Sequence, residues 1–227
     1  MEAMNKYRHI IFDIDGTLLD TESAILQSLK DTVAEILQKD IPVEELKFAL
    51  GIPGEITLHR LGISNARTAN RKWNEYLLRY KSSIRLFKGI PALLASLKVG
   101  GYSLGIVTSK NRNEYNEDFA SVFDATHYFD RVICVEDAPF PKPNPAPLIT
   151  YLSLSGISAK EALYVGDTAY DSLCANGANV AFGIALWGNS TTNGNDTQND
   201  IDADYVFHRS EERRVGKECR SRWSPYH

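Results

Sequence analysis

Cysteine is scarce, at three in 227 residues. Cys134, Cys174 and Cys219 fall at no spacing that would hold a metal or build a disulfide framework. Long apolar runs are missing as well: no window offers eighteen uninterrupted apolar residues, so no membrane partner is expected. The first ten residues, MEAMNKYRHI, lack the apolar stretch of an export signal, and a cytoplasmic location is the expectation that follows. What remains is ordinary. Hydrophobic residues make up 43% and charged residues 24%, the composition of a soluble globular chain with one good core and room for a small second domain.

Basic charge is thinly spread except at the end, where RSEERRVGKECRSRWSPYH (209–227) sets six Lys/Arg against three acidic residues. This segment has no Ile, Leu or Phe and no helix or strand period. It reads as a non-native tail, the translation of a sequencing-adapter oligonucleotide fused to a truncated gene, and is expected to be disordered. A basic tail for nucleic acid is the other reading. With the tail set aside, no nucleic-acid partner is expected, and residues 1–208 are more acidic than the −4 of the whole chain.

The rest is organised around Arg8–Leu19, RHIIFDIDGTLL. An apolar run from His9 to Phe12 before a glycine turn is the pattern of a strand buried on both faces of a parallel sheet. Asp13 and Asp15 then stand at its carboxyl end, where open α/β sheets bind ligands. Ile14 between them takes the opposite face, and Gly16 permits the bend that brings backbone amides, with Thr17, towards an anion.

Helical periodicity follows over Thr21–Leu37, Val43–Ala49, Glu55–Leu61 and Ala66–Tyr80, with no strand pattern among them. A helix starting near Pro91 ends at Gly100-Gly101. Strand patterns then recur at Ser103–Val107, Arg131–Val135, Ala162–Val165, Val180–Leu186 and Asp204–Phe207, with helices between them. Alternation of this kind implies an α/β fold with a doubly wound parallel sheet. Ser158 and Glu161 form a candidate capping box, and 188–200 reads as a polar surface loop.

The string DIDGTLLD resembles the first motif of the haloacid dehalogenase superfamily. Three later strand ends resemble its other motifs: Thr108-Ser109-Lys110, the KPNPAPL run that begins at Lys142, and Gly166-Asp167-Thr168-Ala169-Tyr170-Asp171. The pattern is nearest to the phosphoglycolate phosphatases and their pyrophosphatase relatives. The resemblance implies a Rossmann-like core of residues 1–19 and 86–208, with a small α-helical cap of residues 20–85 inserted after the first motif. It makes Asp13 the nucleophile and Asp15 the acid/base. Thr108, helped by Ser109 and Lys110, would bind phosphate oxygens, and Lys142 would contact both nucleophile and phosphate. The cap turn Gly51-Ile52-Pro53 would read the substrate.

Magnesium is the implied cofactor, held among Asp13, Asp15, Asp167 and Asp171, with Asp167 the direct ligand and Asp171 its partner. Capping of a helix by Thr108, Asp167 or Asp171 is the plainer reading of each residue taken singly. Charge counting supports the assembly, since three ionised carboxylates and a phosphate dianion need cations, which Mg²⁺ and Lys142 supply. Asp15 would be the protonated member, ready to protonate a leaving oxygen. His59, Trp73 and His127 read as packing or surface residues.

The activity expected is hydrolysis of a small phosphorylated metabolite by a monomer or weak homodimer. Pyrophosphate hydrolysis, a β-phosphoglucomutase-like isomerisation and a non-catalytic binding role are the alternatives. Against the isomerase, the turn GIPGEITL carries no arginine.

Overall fold

The computed structural model describes residues 6–188 and 201–208. The tail at 209–227 and nearly all of the loop read at 188–200 lie outside the described residues. Six parallel strands form one sheet in the order β5-β4-β1-β6-β7-β8. They are β1 (His9–Phe12), β4 (Ser103–Val107), β5 (Arg131–Ile133), β6 (Ala162–Gly166), β7 (Ala181–Ala185) and β8 (Tyr205–Phe207). Strand β1 is central because its residues are apolar on both faces. Ile10 and Phe12 join Leu104, Ile106, Leu163 and Val165 under helix α5 (Ile90–Val99), while Ile11 joins Val107, Tyr164 and Phe182 under α7 (Ala146–Ser155) and α8 (Ala169–Gly177). This is the doubly wound α/β sheet that the alternating pattern implies.

The chain runs outward from β1 to β4 and β5, then returns to β6 on the other side of β1. That reversal opens a crevice at the carboxyl ends of β1, β4 and β6. Phe12 lies level with Ile106 and Val165, so the residues that follow the three strands emerge side by side.

Between β1 and β4, a two-residue antiparallel ribbon of β2 (Leu19–Asp20) and β3 (Arg85–Leu86) leads out and back. It encloses four helices: α1 (Glu22–Leu37), α2 (Val43–Leu46), α3 (Gly54–Arg60) and α4 (Ala66–Tyr80). They surround an apolar cluster of their own, in which Leu29, Val33, Leu46 and Leu58 are fully buried. The Trp73 indole N–H donates to Ser28 Oγ at 2.8 Å and pins α4 on α1. No helix among the described residues is long and apolar enough to cross a membrane.

Several boundaries differ from the sequence reading. The strand read through Val135 stops at Ile133, because the Asp137 carboxylate accepts the Cys134 N–H at 2.7 Å and turns Val135–Asp137 into a 3₁₀ turn. The helix read from Thr21 starts at Glu22, and the Thr21 hydroxyl makes no capping bond. Ser158 and Glu161 do pair, with the Glu161 carboxylate accepting from the Ser158 N–H (3.0 Å) and hydroxyl (2.9 Å).

Packing between sheet and helix is tightest at Gly105, where an added Cβ would lie 2.2 Å from the buried Tyr151 ring of α7. Gly105→Ala should therefore destabilise the protein by about 1–3 kcal/mol, the range for overpacking a well-filled core. Urea denaturation measures it, and a stability equal to the parent's would show that the ring has room to retreat.

Candidate active site

Asp13 leaves β1 with its N–H donating to the Val165 carbonyl at 2.9 Å, and it is 3% exposed. From beneath, Lys142 donates to three oxygens: Asp13 Oδ1 at 3.0 Å, Asp171 Oδ1 at 2.7 Å and the Tyr164 hydroxyl at 3.1 Å. All three ammonium hydrogens are thereby used, which a lysine 2% exposed requires. Burial works against its charge, but Asp13 and Asp171 prevail and hold Lys142 protonated, above its ordinary range.

Asp171 is the third residue of α8, and its Oδ2 accepts the Thr168 N–H (3.1 Å) and hydroxyl (2.6 Å). Helix capping and site building, alternatives in the sequence, are both performed by this one carboxylate. Burial alone would push its carboxyl up, but the Lys142 charge and bonds from Lys142, Thr168 and Tyr164 hold it below the usual range. Among the described residues, the one side chain that donates a hydrogen bond to Asp167 is the Thr17 hydroxyl, at 3.2 Å. Burial, Asp171 and Asp13 raise it well above a normal carboxyl. Burial likewise pushes Asp13 up to about 7, with Lys142 opposing and Asp171 and Asp15 adding.

One oxygen from each of Asp13, Asp167 and Asp171 lies within 4.8 Å of the others. Such crowding of carboxylates, with one left short of donors, suits a hard divalent cation that takes oxygen ligands. Gly16 makes the geometry attainable. Its φ is +79°, and a Cβ there would lie 2.0 Å from Asp167 Oδ2.

Asp15 departs from the expected grouping, because its carboxylate stands outside this cluster. Lys110 Nζ draws Asp15 Oδ2 to 3.2 Å and also holds Asp118 Oδ2 at 3.1 Å, while Asp15 Oδ1 is buried with no partner among the described residues. The neighbour that the sequence reading missed is thus a cation. Thr108 is buried, and its hydroxyl accepts the Lys110 N–H at 3.2 Å; the cap of the following helix, α6 (Arg112–Glu114), is Asn111 instead. Ser109 donates to the Gly51 carbonyl at 2.9 Å and so ties the core to the helical block.

Above the carboxylates lies a cavity of about 90 Å³, lined by Asp13, Asp15, Gly16, Ser109, Lys110 and Asp167 on the core side. Its opposite wall includes Gly51, Ile52 and Trp73. Pro53 lines an outer groove next to it, while Thr17, Thr108 and Lys142 support the floor from behind. Trp73, read as packing, both packs and lines the cavity. His59 and His127 are exposed, as read. Tyr164 carried no signal beyond its place in a buried strand, and Lys110 carried only its position after Thr108.

Residues 10–185 match the family model of haloacid dehalogenase-like hydrolases. The chain belongs to that family. It is 30% identical over 206 residues to the pyrophosphatase PpaX of Bacillus velezensis, covering 87% of this chain and 90% of the relative. Identity to the phosphoglycolate phosphatase of Aquifex aeolicus is 27%, over 80% of this chain and 85% of that protein. Among solved structures, CbbY from Rhodobacter sphaeroides in complex with phosphate shares the fold, with a TM-score of 0.75 at 20% identity, over 91% of this chain and 96% of that one.

Replacing Lys142 by Met would leave Asp13 and Asp171 buried with no cation between them. The loss of stability should be about 3–5 kcal/mol, the cost of breaking a buried ion pair by removing one partner. Chemical denaturation at neutral pH checks this, and a loss under about 1 kcal/mol, the level of a surface pair, would mean that Lys142 is not the counter-charge.

Proposed function

We propose that the protein is a Mg²⁺-dependent phosphomonoester hydrolase that acts on a small phosphorylated metabolite through an aspartyl-phosphate on Asp13. The observation that carries this reading is the placement of Asp13 at the mouth of the crevice, oriented by Lys142, with Asp15 on the same cavity wall. The hydrolase family and the phosphatase names of the relatives support it. Residues 20–85 act as the helical cap on a core formed by 1–19 and 86–208.

Asp13 and Asp167 would hold the Mg²⁺, with Asp171 orienting Lys142 beside them. The metal would supply charge for the phosphoryl oxygens. Asp13 attacks phosphorus, the ester P–O bond breaks, and Asp15 gives its proton to the departing oxygen. In the second half Asp15 takes a proton from water, the water oxygen bonds to phosphorus, and the aspartyl P–O bond breaks to release phosphate. Lys142 stabilises charge on Asp13 throughout, while Lys110 positions Asp15. Gly16, Ser109 and Lys110 line the cavity around the transferred group, and Thr17 and Thr108 brace them from behind.

Asp13→Asn should abolish phosphate release while leaving the circular dichroism spectrum unchanged, because the amide keeps the shape but cannot attack. Substantial residual turnover would remove Asp13 as nucleophile. Activity should also require added Mg²⁺ and fall when Ca²⁺ replaces it, since calcium's longer bonds and higher coordination number suit in-line transfer poorly. Full activity in excess chelator would contradict the metal assignment.

A further inference from the structure

The cavity wall facing the proposed phosphate site is acidic and has buried groups without partners. Thr21 is 3% exposed, yet among the described residues its hydroxyl oxygen has no hydrogen-bond partner, and Glu22 beside it has a buried Oε2 that is likewise unpartnered among them. Both line the cavity. Buried polar atoms are normally paired, so two orphans on one cavity wall mark where a ligand's hydrogens belong.

The other charges fix the ligand's character. Asp20, Glu114 and Asp118 also line the cavity, whose lone lining cation, among the described residues, is Lys110. That ammonium pairs with Asp15 and Asp118, whose two charges outweigh its own. Glu114 is taken up by Asn70 (2.9 Å), Asn74 (3.2 Å) and the Asn111 N–H (2.9 Å), and Asp20 has exposed Arg85 at 3.4 Å. As Asp15 does on the core side, Glu22 keeps on this wall a carboxylate oxygen with no hydrogen-bond donor among the described residues. Burial pushes its carboxyl up, Lys47 opposes this from outside the cavity lining, and Asp20 adds to it. A second anionic group on a substrate would meet several acids and one cation already outweighed by two of them, whereas a hydroxyl or ammonium would satisfy Glu22 and Thr21 together.

We infer that, within the phosphatase reading on which this rests, the substrate is the phosphate monoester of a small alcohol that is uncharged or cationic apart from its phosphate. That alcohol carries a hydroxyl or amino group, which Glu22 and Thr21 receive. The cavity of about 90 Å³ gives room for a short polyol or amino alcohol beside Glu22 and Thr21, and it shares Gly54, Asn70, Asn74 and Ser109 with the larger outer groove. Trp73 and Ile25 cover the carbon skeleton.

The test is kcat/KM for phosphoethanolamine, glycerol 3-phosphate, phosphoglycolate and pyrophosphate, with p-nitrophenyl phosphate as a general ester. Phosphoethanolamine or glycerol 3-phosphate should exceed both phosphoglycolate and pyrophosphate by on the order of tenfold or more, as one unfavourable charge contact implies. Glu22→Gln, which keeps the shape, should narrow that ratio mainly through KM, and Glu22→Lys should turn it towards phosphoglycolate. Hydrolysis of p-nitrophenyl phosphate together with equal or better use of phosphoglycolate or pyrophosphate would overturn the inference and leave the phosphatase reading standing. A ratio that Glu22→Gln does not move would overturn it too. Release of phosphate from none of the five would overturn both.

Discussion

Everything at this site depends on one buried ammonium. Lys142 sits where an unpaired charge would be untenable, and it stays protonated because two carboxylates and a phenol take its three hydrogens. Those partners come from the end of one strand, the middle of another and a helix, so the contact also fixes the relative positions of β1, β6 and α8. The same bonds decide how the carboxylates divide their work. Asp171, saturated with donors, stays ionised; Asp167, with one weak donor, is left to seek a cation.

A second ordering principle is the contrast between cores and seam. The sheet and the four-helix block each close over apolar residues of their own. The side-chain bonds between them include Ser109 to Gly51, Asn70 and Asn74 to Glu114, and Arg60 to Tyr170. Polar pairs exchange for water at little net cost, whereas the two apolar interiors do not. The seam is therefore the cheapest place for the molecule to part, and the cavity lies along it.

Most of the fold was legible because its signals are local. Apolar runs between turns marked β1, β4 and β6, and the acids after β1 and β6, with Thr108-Ser109-Lys110 after β4, marked a crevice. The missing parts were those set by distant partners. Tyr164 reads as one more apolar-facing strand residue until α8 brings Asp171 to its hydroxyl. Lys110 reads as a phosphate ligand until the widened helical turn of Tyr115–Ala120 brings up Asp118, and Asp15 turns towards it. The β2/β3 ribbon is two residues long on each side and joins positions 19 and 86, too short and too remote to leave a periodic trace.

Gly16 and Gly166 bear on how such a protein can change over time. A side chain at either would strike a site carboxylate, Asp167 at 2.0 Å or Asp171 at 2.5 Å, so neither position tolerates variation. The floor that performs the chemistry is sterically frozen. The facing wall has more latitude at Thr21 and Glu22, which stand at the start of α1 and whose buried oxygens meet no partner among the described residues. Lineages carrying this architecture can therefore drift in what they recognise, one wall residue at a time, while the reacting half stays the same.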